Sequence, residues 1–271
     1  MTAATTRPKR EGIDFGQVEL DLLAAHAGVT WPFPLRIPSF GRIAGERETL
    51  FAAAGHTLRL RGLADDDGPA GAATELVTAL RQYRGTVDLV LVDETGASAV
   101  LAMLYRSSVL VFEQRLDGDP ATTVRIRRVA PKALVDELVA LVPEHPPAKS
   151  MPINLPHRVV DDVAALNEID DDRLKQRRFR ELVRDCGGDP GALDRLVAVL
   201  PALTGRGQLG ATRRTSRGDE RRGAELSWLD GPHGRLRVNR TDGGWVSLNP
   251  LRPAVVRAAL TDLVSTAREP R

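Results

Sequence analysis

Arg84-Gly85-Thr86-Val87-Asp88-Leu89-Val90-Leu91-Val92 and, about 120 residues further on, Arg206-Gly207-Gln208-Leu209 open two runs of the chain that follow one plan. Ahead of them, Glu75-Leu76-Val77-Thr78-Ala79-Leu80 is echoed by Arg195-Leu196-Val197-Ala198-Val199-Leu200. After them, Ala99-Val100-Leu101-Ala102-Met103-Leu104 matches Ala224-Glu225-Leu226-Ser227-Trp228-Leu229. Residues 109–113 then match 235–239, and Val124-Arg125-Ile126 matches Val246-Ser247-Leu248. Each run closes with an apolar-faced helix that starts at a proline, 131–142 in the first and 253–264 in the second. Proline suits the first helical position, where its missing N–H would have had no partner. Such self-similarity predicts an α+β fold of pseudo-two-fold duplicated halves, each an antiparallel meander with flanking helices. No polar constellation recurs with the repeat, so the repeated unit reads as a surface and not as a reaction centre.

Working outward, 86–92 is an almost unbroken apolar run, which suits a central strand covered on both faces. Asp93-Glu94-Thr95-Gly96 makes a turn, 99–105 and 109–115 are strands, and Asp117-Gly118-Asp119-Pro120 turns again before a strand at 124–128. Upstream, 14–27 reads as a strand passing into a helix, and 31–38 as extended, because each proline disfavours a helical residue before it. A helix over 46–60 places Leu50, Phe51, Ala54 and Leu58 on one face, with Gly62 where a terminating glycine belongs. Residues 65–71 read as loop, 74–83 as helix and the proline-rich 143–152 as a linker. The second half repeats the order: 152–155 extended, helices at 159–166, 171–186 and 193–203, and strands at 208–215, 224–229, 235–240 and 245–248. There Leu209, Leu226, Leu236 and Val238 interleave with Arg213, Arg235 and Arg237, which predicts one sheet face turned to water or a partner. The expected organisation is a disordered segment over 1–12, an N-terminal half over 13–147 and a C-terminal half over 148–271 in one body.

A chain of 271 residues buries a substantial core, and its formal net charge of +2 says little about partners. The pI of about 9.0 reflects arginines that concentrate between 206 and 240. A single cysteine, Cys186, rules out a disulfide within the chain and predicts a reducing compartment. No apolar core of signal-peptide length follows the basic residues Arg7, Lys9 and Arg10, and no stretch approaches the ~18 apolar residues of a membrane helix. The expected location is the cytoplasm.

Motifs of chemistry are few. Gly205-Arg206-Gly207-Gln208-Leu209-Gly210 matches G-x-G-x-x-G, but a dinucleotide site needs a strand before it and a helix after it, and here the order is reversed. The triplets Asp65-Asp66-Asp67 and Asp170-Asp171-Asp172 lack the interleaved spacing of a calcium loop. His26, His56, His145, His157 and His233 are scattered, and neither a nucleophile elbow nor a reactive-cysteine context occurs. Arg217-Gly218-Asp219 reads as a loop. No catalytic residue, metal site or cofactor is expected. The arginines of 206–240 carry the alternative reading, a nucleic-acid-binding protein; Asp219, Glu220, Glu225 and Asp230 interrupt them, and Trp228 is the sole aromatic nearby for stacking.

Several strings resemble the EspG family of chaperones associated with type VII (ESX) secretion in actinobacteria. They are Gly205-Arg206-Gly207-Gln208-Leu209-Gly210 at a strand entry, Gly243-Gly244-Trp245-Val246-Ser247-Leu248 at a last strand, Leu35-Arg36-Ile37-Pro38, and Glu46-Arg47 opening a helix that ends in Arg61-Gly62-Leu63. The resemblance spans about 14–264. It implies two related halves that share a central sheet flanked by helical bundles. It further implies a cytoplasmic adaptor, not an enzyme, that binds a PE/PPE-like helical secretion substrate and covers its apolar tip. By the same resemblance the contact residues are Glu94, Thr95, Gly96 and Val100 at the sheet edge, with Phe179, Leu182 and Val183 from the second helical bundle.

Overall fold

The computed structural model describes residues 11–41, 43, 45–119, 121–149, 152–156, 203–241, 244–269 and the single positions 174, 177, 178, 181, 184, 185, 187 and 191. In chain order the elements are β1 (Ile13–Phe15), α1 (Gln17–Ala27), α2 (Glu46–Leu60), a small hairpin of β2 (Ala64–Asp65) and β3 (Gly68–Pro69), and α3 (Ala72–Gln82). Then come β4 (Tyr83–Asp93), β5 (Gly96–Tyr105), β6 (Ser108–Arg115), β7 (Val124–Val129), a 3-10 turn (Pro131–Ala133) and α4 (Leu134–Val139). The remainder is β8 (Ile153–Pro156), β9 (Gly205–Thr215), β10 (Gly218–Gly231), β11 (Gly234–Thr241), β12 (Trp245–Pro250) and α5 (Pro253–Arg268).

Among these residues the large strands form a ten-stranded antiparallel sheet in the order β1-β7-β6-β5-β4-β9-β10-β11-β12-β8. Read from either margin, the order is a short edge strand followed by a meander running back to its own first strand. The two first strands, β4 and β9, meet in the middle from Gly85↔Arg213 to Asp93↔Gly205, with Asp88 opposite Gly210. The strings matched in the sequence fall on corresponding ranks: 99–104 in β5 and 224–229 in β10, 109–113 in β6 and 235–239 in β11, 124–126 in β7 and 246–248 in β12.

Each face of the sheet has its own core. On one, Val87, Leu89, Val100, Ala102, Leu209, Ala211, Leu226 and Trp228 are buried under Leu134 and Leu138 of α4 and Val256, Leu260, Leu263 and Val264 of α5. On the other, Leu101, Met103, Tyr105 and Phe112 meet Leu20 and Leu23 of α1, Leu58 of α2 and Leu76 and Leu80 of α3. Each such side chain contributes roughly 1.5–3 kcal/mol through burial. The family-like strings have structural causes here. Arg47 opens α2 and pairs with the buried Asp21 of α1 at 2.9 Å, and Arg61 just past α2 pairs with the buried Glu19 at 2.8 Å. Gly62, at φ +68, lets the chain leave α2 while Leu63 N–H donates to Leu58 O at 2.8 Å. The 31–38 segment is not extended throughout: it turns at Phe33–Pro34, joined by a cis peptide bond, with Leu35 N–H donating to Pro32 O at 3.3 Å, and beyond the turn the buried Gln114 accepts from Arg36 N–H and donates to Arg36 O, both at 2.8 Å.

Some expectations need correction. Residues 65–71 are not plain loop but include the β2–β3 hairpin. Within the expected 143–152 linker, residues 146–149 are docked at the start of β11: Arg235 N–H donates to Pro146 O at 2.7 Å, and Ala148 N–H to Arg235 O at 3.0 Å. The arginine-lined sheet face does not form as expected either. Leu226 shares a face with Leu209, whereas Leu236 pairs with Leu229 on the opposite face, so apolar residues line both sides of the second meander. Arg235 is 2% exposed, its guanidinium held by Asp230 at 2.6 and 2.8 Å and lying 5.0 Å from the Trp228 ring centroid. The helix expected at 159–166 and residues 193–202 of that expected at 193–203 lie outside the described residues, and Leu203 is not helical; positions 174, 177, 178, 181, 184 and 185 of the expected 171–186 helix are helical.

Candidate partner-binding groove

Residues opposite one another in an antiparallel pair share a face, so the register lays out the sheet surface row by row. One row runs Val92, Arg206, Leu229, Leu236 and Pro250; the next runs Val90, Gln208, Ser227, Val238 and Leu248. Toward β12 these positions are closed, with Leu236 3% and Leu248 4% exposed. Toward β4 they open: Val90, Val92, Gln208, Ser227, Leu229 and Val238 are half-buried. They floor a groove of about 920 Å³ with Arg206, Glu225 and Arg240 at its sides.

Where the groove meets the centre of the sheet, Asp88 is fully buried and salt-bridged to Arg221, which reaches across β9 from β10. Arg221 also donates to Glu225 at 2.5 Å, and Glu225 accepts from Gln208 at 3.1 Å. Burial pushes the Asp88 carboxyl above its ordinary range, and the hydrogen bond and charge of Arg221 only partly offset this. Further along, Tyr83 donates its phenol proton to Asp219 and carries Arg214 over its ring at 4.4 Å; Gly218 and Asp219, expected in a loop, open β10. Its pKa is raised, by burial first and by Asp219 second.

These contacts explain the glycines of 205–210. A Cβ on Gly207 would lie 2.0 Å from the Trp228 ring, and one on Gly210 would lie 1.9 Å from the Arg221 guanidinium. The glycines clear space for a buried indole and a buried ion pair within a strand; no helix N-terminus follows them to face a phosphate. Much of the arginine cluster is likewise absorbed. Arg213 pairs with Glu269 at 3.2 Å, Arg222 with Glu220, and Arg214 donates to Leu80 O at 3.0 Å. A nucleic-acid surface needs such cations free for phosphates, and these, with Arg221 and Arg235, are held within the fold.

At the end of β4 the tight 93–96 turn is held in one shape. Asp93 Oδ1 accepts from Thr95 N–H at 2.8 Å and from Thr95 Oγ1 at 2.5 Å. Arg115, at the end of β6, donates to the Thr95 carbonyl and pairs with Asp117 at 3.7 Å. Gly96 adopts φ +118, and a Cβ there would meet Arg115 Nη2 at 2.9 Å. The structure thus brings Glu94, Thr95 and Gly96 together at an accessible turn. It does not bring Val100 to them: that side chain is 4% exposed, in the core beneath α4 and α5. Phe179, Leu182 and Val183 lie outside the described residues. The sequence reading missed Arg206, Arg240 and the Asp88–Arg221 pair as groove residues. A lone Asp in the middle of an apolar strand was the one signal available for the pair.

No curated protein matches the chain. Among solved structures, the chain is similar to the Mycobacterium tuberculosis type VII secretion system chaperone EspG5, solved in complex with a PE25–PPE41 dimer. The TM-score is 0.64 and the identity 12%, with 94% of this chain and 96% of that one covered. A putative adenylyl cyclase with triphosphatase activity, HpAC1 from Hippeastrum, overlaps at a TM-score of 0.14 and 11% identity over 73% of this chain and 83% of that one, too little shared path to bear on the fold. The EspG family model matches residues 17–262, which takes in α1, both meanders and most of α5. By that match the chain belongs to the EspG family.

Proposed function

We propose that the protein is a cytoplasmic chaperone of a type VII secretion system, which binds a PE/PPE-like helical substrate and covers its apolar tip until export. The observation that carries this reading is membership of the EspG family over 17–262, joined to a fold similar along nearly its whole length to a chaperone solved with a PE–PPE dimer. The groove supports it physically, since a half-buried floor of Val90, Val92, Leu229 and Val238 with polar margins suits an amphipathic helical end. Glu94, Thr95 and Gly96, held out at the end of β4, are the proposed sheet-edge contacts, with Phe179, Leu182 and Val183 from the second half. Among the described residues no helix is long and apolar enough to cross a membrane.

The protein on this reading holds its cargo without turnover. Among the described residues the buried carboxylates Glu19, Asp21, Asp88 and Asp230 are each tied to an arginine, an arrangement that fixes structure and leaves none of these four poised as an acid or base. We also infer that halves 13–147 and 148–271 descend from one duplicated unit. The offset that takes Arg84 to Arg206 also takes Asp88 to Gly210, and those two residues face each other where β4 and β9 meet.

Co-expression with PE–PPE pairs, followed by affinity capture and size exclusion, tests the function. A soluble complex of fixed stoichiometry is expected with at least one pair; free protein with every pair rejects the reading.

A further inference from the structure

Resting on that reading of the groove as a cargo seat, we propose that Arg206 and Arg240 select the cargo by charge, so that the helical end entering the groove must carry carboxylates beside its apolar residues. In the second meander Arg213, Arg214, Arg221, Arg222 and Arg235 are all engaged by acids or carbonyls. Arg206 and Arg240 are exposed at the groove, and neither has an ion-pair or hydrogen-bond partner among the described residues.

The register sets both on the groove side of the sheet. Arg206 lies opposite Val92 and Leu229, and Arg240 lies two residues on from Val238. They are two strands and two rows apart, so with ~4.8 Å between strands and ~3.4 Å per residue their Cα atoms stand roughly 17 Å apart, diagonally across the apolar floor. Two packed helices have axes ~8–10 Å apart and are each ~10 Å wide, so the end of a helical hairpin laid on this floor brings one helix to each arginine. The nearby acids do not compete for them: Glu225 is held by Arg221 and Gln208, and Asp88 is buried against Arg221. A guanidinium meets a carboxylate through paired hydrogen bonds, while a cargo bearing lysines there would set cation against cation.

The test uses the full chain and two synthetic helical hairpins with the same Leu/Phe apolar end, flanked in one by glutamates and in the other by lysines. Affinities are read by fluorescence anisotropy at about 50 mM and about 500 mM salt, where charge screening differs strongly, with PE–PPE dimers measured in parallel. The glutamate hairpin is expected to bind at least tenfold tighter at low salt, with the advantage lost at high salt. The double variant R206E/R240E is expected to reverse the preference at an unchanged thermal midpoint. Equal affinities, a preference for lysine, or a variant that keeps the original preference overturns the charge assignment; a PE–PPE dimer that still binds then leaves the cargo reading standing. Failure of both hairpins and of every PE–PPE dimer removes the cargo reading and this inference with it.

Discussion

Gly207 and Trp228 show how a single hydrogen atom decides the packing at the middle of the sheet. The indole is 1% exposed and lies where any Cβ on Gly207 would be. Gly207→Ala is therefore expected to cost about 3 kcal/mol, the upper end for an overpacked core, by forcing a large buried ring off its position; chemical denaturation checks this, and an unchanged midpoint would contradict the packing. Asp88 and Arg221 make a second case. Because the folded pKa of Asp88 is raised, its contribution favours the fold below its ordinary value of 3.8 and is lost as pH climbs through the raised value. At neutral pH Arg221 holds a buried carboxylate that would otherwise be unpaired. Arg221→Ala should cost about 3 kcal/mol at pH 7, and the deficit should shrink as pH falls toward the ordinary aspartate range and Asp88 takes up its proton. Melting curves of both proteins across that window measure it; a deficit independent of pH would show that packing, not charge, is what was lost. Neither pairing could be read from sequence, since Asp88 and Arg221 are 133 positions apart.

Elements were far more legible than their contacts. The helix over 46–60 was expected at its observed bounds, because its apolar spacing and Gly62 agree, and both meanders came through because turn residues separate short apolar runs. Which face a strand residue takes was not legible where both faces are buried. In β5 every residue from Ala99 to Tyr105 is buried, so nothing local told the sequence reading that Val100 looks away from the proposed contact surface. The linker misled for another reason: prolines announce irregular backbone but not what it docks against, and here it fills the hydrogen-bonding edge around Arg235. At the 93–96 turn, Arg115 is the staple. Arg115→Ala is expected to raise the hydrogen-exchange rate of the turn amides at least tenfold while changing global stability by less than about 1 kcal/mol, the range of exposed polar contacts. Unaltered exchange would show that Asp93 and Thr95 suffice to hold the turn.

At the scale of the molecule, the core beneath α4 and α5 does not respect the midpoint of the chain. Val87 and Leu89 of the first meander share it with Leu209, Leu226 and Trp228 of the second, and Arg257 of α5 reaches Asp136 of α4 at 2.5 Å. Fluorescence and circular dichroism should therefore report one coincident urea transition, and the fragment 13–147 alone should be insoluble or molten, since it would expose the β4 edge and half of that core. Two separated transitions would mean that the halves fold independently. The margins of the sheet carry a different consequence. Arg61 donates to the Asp14 carbonyl at 2.5 Å on the outer side of β1, and β8 at the far margin ends in Pro156. A guanidinium at one rim and a ring without an N–H at the other leave a second molecule little to zip onto. Crowded copies of the chain are thus kept from growing into ribbons along either margin.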